Sequence, residues 1–523
     1  METSPPRAGY RWLLVSVFVA GMVTLALELS AARLLGNVFG TSNLVWANII
    51  GLILVYLTVG YFVGGRWADR SPRASTFYGL LAWASFLAGV IPLVARPVLD
   101  LAVRAVERLD AAIMIGSFLS VLVLFSLPVV LLGCVSPFAI RLAIRDADHA
   151  GRVSGRIYAV STLGSILGTF LPVLWLIPAF GTARTFLIFS LGLMVVAFVG
   201  LWSAGPRRAL AYLWMPLVLL AWSSWALSRP IKATAGQLYE DESAYNYIQV
   251  VERDGVRYLL LNEGQGIHSV YNPQDVATYG TWDYFLAAPY WNEAPVRGRE
   301  VERLGLVGLA AGTIAKQYTR IYGPIPIDGW EIDPDITRVG RQYFDMTEPN
   351  LNVIVADGRW GLARSPERYS VIGVDAYRLP YIPWQLTTRE FFEEARAHLT
   401  DDGVVVINVG RTPDDRRLVK GMVGTLRAVF PSVHVVDVPA TFNTIVFATR
   451  RSTSPGNVAA NLDRLAAAGA DPFLIDVLVR TLGNLQPTPE SSVVFTDDRA
   501  PIELLTNSVA LRFLLSGDTE ILR

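Results

Sequence analysis

Four short stretches end in residue types that could hold a small ligand. "RLGLVGLAAGTIAKQY" runs from apolar residues through Gly308 and Gly312 into a helical pattern. Glycines at such a turn let backbone N–H groups approach a ligand where a side chain would collide. "PIDGWEID" places Glu331 about 20 residues further on, the position for a carboxylate that accepts two ribose hydroxyls. "LNVIVADGRW" ends its apolar run in Asp357 and Gly358, an acid suited to the exocyclic amine of an adenine. "YSVIGVDAYRLPYIPWQLTT" puts Asp375 at the tip of an apolar run and then turns through Tyr377, Arg378 and two prolines. The first three stretches read as a nucleoside site. Asp375 reads either as a ligand-facing carboxylate or as a cap on the turn that follows it.

Such residues meet only if the apolar runs are strands of one sheet. Helical patterns lie between the runs, Arg389 to Leu399 being one, and a fifth run, "GVVVINVG", comes after it. Strands alternating with helices give a parallel sheet, and ligands bind outside the carboxyl ends of its strands. All four motifs then fall on one edge. Upstream, "SAYNYIQVVERDGVRYLLLNEGQGIHSVY" alternates at Tyr247, Gln249 and Val251, turns at Asp254-Gly255, and continues from Tyr258 to Leu261. That pattern is a β-hairpin with more strand after it.

The chain has 523 residues, 52% of them hydrophobic, and a mean hydropathy of +0.39. It is too long for one domain and too apolar to be wholly soluble. Runs long enough to cross a bilayer lie at about Trp12 to Ala32, Leu44 to Val63, Phe77 to Val94, Ile113 to Leu132, Tyr158 to Ile177, Phe186 to Trp202 and Leu210 to Leu227. About seven spans are expected. The first reads as an anchor rather than a removable leader, and Arg96 to Asp110 as an amphipathic helix on the surface. Glu28 falls inside the first span, where an ionisable group faces a partner such as Arg33 or a cavity. Arginines at 7, 11, 66, 70, 73, 141, 145, 152, 156, 207 and 208 favour an N-terminus inside the cell. With seven spans, the soluble half would then lie outside the cytoplasm. The organisation read from sequence is a helical membrane domain over 1–227, a linker over 228–236, a small β-domain with a connecting helix over 237–290, and a Rossmann-like domain with a C-terminal extension over 291–523. A multi-pass protein of the cell (inner) membrane, with the bilayer as partner, is the expectation.

Other partners are narrowed by composition. With 45 basic and 45 acidic residues the chain has no charge excess for nucleic acid. Cys134 is the lone cysteine, and His149, His268, His398 and His434 are scattered, so no metal is expected.

"SAYNYIQVV", "LLLNEGQ", the glycine turn, "EID", "ADGR" and "VDAYR", in this order, resemble the spermidine synthases, aminopropyltransferases of class I methyltransferase fold with a small N-terminal β-domain. The resemblance covers Gln237 to Phe447. The whole chain resembles bacterial membrane proteins in which such a domain follows a multi-span region. The likeness implies S-adenosylmethionine or its decarboxylated form as donor. It assigns Gly308 and Gly312 to the aminocarboxy or aminopropyl end of the nucleoside, Glu331 to the ribose, Asp357 and Gly358 to the adenine, and Gln249 and Gln265 to the ligand-facing β-domain. Asp375 takes the place of the general base, and Tyr279, Asp283, Tyr377, Arg378 and Gln385 take acceptor-facing places. A homodimer through the soluble half is also implied.

The chain departs from that pattern. Arg378 stands where a second acid would hold a cationic amine, Asn262 replaces the acid of "LLLDG", and Ala310 replaces the middle glycine of the turn. A tyrosine-histidine-glutamate motif is read as Tyr279, Gly280 and Thr281, with Asp283 one turn on. These changes disfavour putrescine and favour a small-molecule amine or an amine-bearing or anionic lipid headgroup. "FTDDRAPIELL" supplies Asp497, Asp498 and Glu503, either returning acid to the site or capping a helix. Two other readings stay open: a methyltransferase-like domain that only binds, and a polyamine transporter with a nucleoside-sensing domain. The transporter reading rests on "GYFVGGRWADRSPR", which resembles the loop after the second helix of major-facilitator transporters.

Overall fold

The computed structural model describes residues 7–39, 43–106, 112–144, 149–226, 234–262, 266–294, 301–377, 382–506 and 508–509. The chain divides into two compact units, Met1–Ala233 with Glu240–Tyr247, and Thr234–Tyr239 with Ile248–Arg523. The first unit thus runs a few residues beyond the expected boundary and includes a segment that the sequence reading gave to the β-domain.

The first unit is built on long helices: Arg7–Phe39, Asn43–Arg70, Ala74–Val106, Ala112–Ala143, Ala150–Leu171 and Thr182–Ala204. Between the last two, a π-helical turn, Pro172–Leu176, and a short helix, Ile177–Phe180, continue the fifth. Six described helices are long and apolar enough to cross a membrane. The expected seventh span appears among the described residues as Pro206–Leu210 and the 13-residue helix Trp214–Ala226. That helix is about 20 Å long, short of a hydrocarbon layer of roughly 30 Å. The expected surface helix is, as far as Val106, continuous with the third long helix, which passes Pro92 and Pro97 without breaking.

Small residues set the spacing of the helices. On the fifth helix a Cβ at Gly164 or Gly168 would overlap the carbonyl oxygens of Phe18 and Met22 on the first. Gly60 and Gly64 of the second helix meet Val130, Gly133 and Cys134 of the fourth in the same way. Arg141 pairs with Asp69 at 3.1 Å, and the Arg156 guanidinium lies 5.5 Å from the Tyr10 ring. Glu28 is half-buried and makes no hydrogen bond or ion pair among the described residues. The expected partner Arg33 instead donates to the carbonyls of Ser243 and Tyr245, within the same unit.

A four-stranded sheet follows in the order β1 (Gln237–Glu242), β2 (Tyr247–Arg253), β3 (Val256–Leu261) and β4 (Ile267–Tyr271), all of it in the second unit except Glu240–Glu242 and Tyr247. β2 and β3 are antiparallel across Asp254-Gly255, both at positive φ, the backbone that a two-residue hairpin needs. A 3₁₀ helix, Thr281–Trp291, leads into an eight-stranded sheet. Its strands are β5 (Leu304–Val307), β6 (Ile327–Glu331), β7 (Leu351–Val355), β8 (Tyr369–Val374), β9 (Leu399–Gly410), β10 (Ser432–Asp437), β11 (Asn443–Thr449) and β12 (Leu485–Gln486). The order is β12-β10-β11-β9-β8-β5-β6-β7, with β7, β6, β5, β8 and β9 parallel and the rest antiparallel. This is the expected α/β methyltransferase-like sheet. β5 and β6 are buried along their whole length, as strands between two helical layers are, β6 carrying Asp328 and Glu331 into that burial. Side-chain caps start the helices after the strands. Asp333 accepts from Asp335 N–H ahead of Pro334–Tyr343, and Thr388 accepts from Phe391 N–H ahead of Arg389–Ala397.

Candidate functional site

The carboxyl ends of β5, β6, β7, β8 and β9 lie side by side, and the sequence motifs end there. Gly308 leaves β5 at φ +92°, and a Cβ on it would lie 2.6 Å from the carbonyl oxygen of Asp375. Only glycine lets the turn after β5 close onto the turn after β8. Gly312 also has positive φ, and so does Ala310, at +48°. The backbone shape of a glycine turn is therefore kept, although a left-handed alanine costs about 1 kcal/mol. Ala310 N–H donates to Glu331 Oε2 at 2.9 Å, and Asp333 N–H donates to Oε1 at 3.1 Å. Glu331 is thus held rigidly at the end of β6. Burial pushes its pKa up to about 7, against the pull of those backbone donors.

The small sheet reaches the glycine turn through β4. Ala311 N–H donates to Ser269 Oγ at 3.0 Å, and Val270 N–H donates to Thr313 Oγ1 at 3.0 Å. His268 lies beside this junction, and burial pushes its pKa down to about 4, so it is neutral. Gln249 turns its amide into its own sheet, donating to Gln237 Oε1 at 2.8 Å and Thr234 Oγ1 at 3.1 Å. Gln265 lies outside the described residues.

Asp357 caps the helix Gly358–Arg364, its Oδ1 accepting from Trp360 N–H at 2.9 Å. Arg359 in that helix donates to Glu394, to both oxygens of Asp497 and to the carbonyl of Gln385. Asp497 also accepts from Thr388 Oγ1 at 2.7 Å. The C-terminal acid therefore comes back to the sheet edge, but Arg359 neutralises it and holds its pKa below the usual carboxylate range. Gln385 takes part here through its backbone.

Asp375 follows β8 and is half-buried. Its Oδ2 accepts from Trp282 Nε1 at 3.0 Å and its Oδ1 from Asn408 Nδ2 at 3.0 Å. Both donors come from other elements, the 3₁₀ helix and β9, and neither belongs to the turn that follows, described as far as Tyr377. Burial raises the Asp375 pKa, while the two donors oppose the rise. Tyr377 Oη donates to the Asn408 carbonyl at 3.1 Å, and burial with the nearby Asp375 raises its pKa well above the usual value. Asn408 Oδ1 is buried and has no partner among the described residues. Arg378 lies outside the described residues.

Two expected acceptor residues do other work. Asp283 is fully buried and accepts from Thr278 N–H and Oγ1, Tyr279 N–H, Gln317 Nε2 and Arg480 Nη2. As a correction to the sequence reading, its carboxylate anchors the chain at Thr278-Tyr279 and offers nothing to a ligand. Tyr279 is exposed at φ +54°, with the Arg480 guanidinium 5.8 Å from its ring. Its neighbour Trp282 reaches Asp375 instead. Sequence reasoning missed Trp282, hidden in the aromatic run "TWDYFLAAPYW". It also missed Asn408, although a lone amide in "VVVINV" was a usable signal.

The sequence profile of the Spermine/spermidine synthase domain matches residues 312–460. The chain is 32% identical over 283 residues to the "Probable polyamine aminopropyl transferase" of Bifidobacterium longum, covering 51% of this chain and 61% of that protein. It is 28% identical to the "Polyamine aminopropyltransferase" of Vibrio vulnificus, covering 51% of this chain and 91% of the relative. Among solved structures, a probable spermidine synthase from Corynebacterium glutamicum matches at 18% identity and a TM-score of 0.39, over 50% of this chain and 99% of its own. The spermine/spermidine synthase domain is thus matched within the C-terminal half of the chain, over residues 312–460, behind an N-terminal region with six long apolar helices among the described residues.

Proposed function

We propose that the chain is an integral membrane enzyme that transfers an aminopropyl group, or a methyl group, from an S-adenosyl donor to an amine or membrane-associated acceptor, with Asp375 as general base. The observation that carries this reading is the carboxylate of Asp375, held from both sides by Trp282 and Asn408 beside the glycine turn and Glu331. The donor fits the residues present. Glu331 offers two fixed oxygens to a ribose, Asp357 keeps Oδ2 for an adenine amine, and exposed Ile332 leaves apolar surface beside them. When bound, the donor supplies a carbon activated by its sulfonium.

The acceptor nitrogen forms a bond to that carbon as the carbon–sulfur bond breaks, and the electron pair leaves on sulfur. The nitrogen must shed a proton, and Asp375 can take it because each oxygen accepts one N–H and keeps a lone pair. Burial, by raising the Asp375 pKa, makes the carboxylate a stronger base than one in water. Asn408 Oδ1 and Tyr377 Oη are further acceptors for the amine N–H groups.

The test has two arms. Isothermal titration of the purified chain with S-adenosylmethionine and with its decarboxylated form should show one that binds, weakened about tenfold in Asp357→Ala by loss of a polar contact. In Asp375→Asn the same donor should bind within about twofold while turnover falls by about 10²- to 10⁴-fold, the usual worth of a positioned base. Binding of neither nucleoside would end the reading. Donor binding without transfer to any amine or lipid tried would favour a domain that only binds. Protease treatment of intact cells shows whether the soluble half faces the cytoplasm, where such donors are made.

A further inference from the structure

The helical unit contains a site candidate of its own. A cavity of about 570 Å³ opens where the second, third and sixth spans end, lined by Arg73, Arg208, Ser75 and Tyr212 with Trp67 and Trp83. Both arginines are exposed, and neither has a carboxylate partner among the described residues; Asp69, in the same region, is taken by Arg141. The loop that carries Arg73 is fixed, since Arg73 N–H donates to the Ser71 carbonyl at 2.7 Å and Ser71 Oγ bonds Thr76 Oγ1 at 3.0 Å. Tyr212 reaches over Gly79, where a Cβ would come within 3.0 Å of its Oη.

Directly beside it is an apolar groove of about 350 Å³, lined by Phe198, Trp202, Leu210 and Leu213. The two spaces divide one turn of chain between them. Arg208, Ala211 and Tyr212 face the charged cavity, whereas Ala209, Leu210 and Leu213 face the apolar one. Trp67, Trp83, Trp202 and Trp214 are all at least 38% exposed around this end, as aromatic residues at a membrane interface are. A pair of guanidiniums beside a hydroxyl suits a phosphate monoanion, which guanidinium forks bind through paired hydrogen bonds. A purely apolar groove next to it suits a hydrocarbon chain.

We propose that this cavity and groove bind one anionic phospholipid, with the phosphate between Arg73 and Arg208 and an acyl chain along Trp202 and Leu213. The proposal rests on the reading that the helical unit spans a bilayer. It predicts a lipid bound at a fixed place, not a diffuse attraction to any anionic surface.

The test uses the full chain purified in detergent, with phosphatidylglycerol and phosphatidylcholine compared by native mass spectrometry and by thermal melting. Phosphatidylglycerol should be retained about thirtyfold better, the preference that two basic groups give toward anionic lipid. The preference should fall to about twofold in the double variant Arg73→Gln/Arg208→Gln and persist in Arg152→Gln, an exposed arginine outside the cavity. All three positions are exposed, so folding should survive, and an unchanged melting curve without lipid checks this. Equal retention of both lipids, or a preference that survives the double variant, overturns the proposal. So does stabilisation by inorganic phosphate alone that matches the lipid, which would make the ligand a soluble anion. A carbonate wash of membranes separates the two claims. A chain that stays in the membrane but shows no lipid preference loses only this site, whereas a chain washed off loses the spanning reading and this site with it.

Discussion

The helical unit is held by what its side chains lack, and the soluble unit by what its side chains carry. Between the first and fifth helices the contacts are glycine against backbone, at Gly164 with Phe18 and Gly168 with Met22. Within the soluble unit a buried carboxylate, Asp283, gathers donors from a loop, a helix and Arg480, 197 residues away. Helices that lie in hydrocarbon have no water to expel between them, so close backbone approach and dispersion must bring them together. In water, burial of apolar faces already drives folding, and a satisfied polar cluster can fix which faces meet. Charges follow the same division. In the helical unit Arg73, Arg141 and Arg208 are exposed near helix ends, whereas in the soluble unit Glu331 is buried and Asp375 half-buried at the carboxyl ends of the strands.

That contrast can be broken most severely at Gly164. Gly164→Leu pushes side chain into backbone that cannot yield, so we expect at least the roughly 3 kcal/mol upper range of core overpacking. Size-exclusion of a fluorescent fusion should then show loss of the monodisperse peak, and a normal peak would refute backbone contact as the organising feature. Asp283→Ala comes next. It takes one acceptor each from Arg480, which keeps Asp476, and from the Gln317 amide, which keeps the Val276 carbonyl, and this should cost about 3 kcal/mol, near the low end for a broken buried pair. Chemical denaturation measures it, and the soluble unit should be the part that melts early.

Glu331 gives a smaller, pH-dependent effect. Its folded pKa of about 7 lies above the ordinary 4.5, so between those values the folded state holds a proton that the unfolded state releases. Its contribution to stability is full below about pH 4.5 and is lost as pH rises to about 7. Denaturation curves across this range should show that slope in the wild type and a flatter one in Glu331→Gln. Donor affinity should run the opposite way, rising toward pH 7 as the carboxylate becomes able to accept both hydroxyls. The smallest effect is at Ala310. Relieving its left-handed strain, Ala310→Gly should raise stability by up to about 1 kcal/mol, and an unchanged melting temperature would show that the turn carries no strain.

Much of the soluble architecture is written in local pattern. Apolar runs of strand length, each ending in glycine or acid, follow from the chemistry of a buried parallel sheet, and Gly308, Glu331, Asp357 and Asp375 could be placed on its edge from their spacing. The long apolar helices follow equally from run length. The last one did not, because Leu210 to Leu227 is apolar enough for a span while the turn at 211–213 divides it, leaving the 13-residue helix Trp214–Ala226. Arg96 to Val106 looked separate, but it continues the third long helix, which runs through Pro92 and Pro97.

Sequence order alone determined which chemical groups this protein could bring to one edge, since strand ends are local features. Only the tertiary structure decided which groups meet. Trp282 and Asn408 grip Asp375 from 93 and 33 residues away. Asp283, next to Trp282 in the chain, is drawn inward by Gln317 and Arg480 instead. Adjacent residues on a 3₁₀ helix point in different directions, and nothing in their identities says which direction is the interior. That is settled by the partners the fold brings in from far along the chain, and so Asp375 could be placed on the sheet edge from sequence while the groups that hold its carboxylate could not.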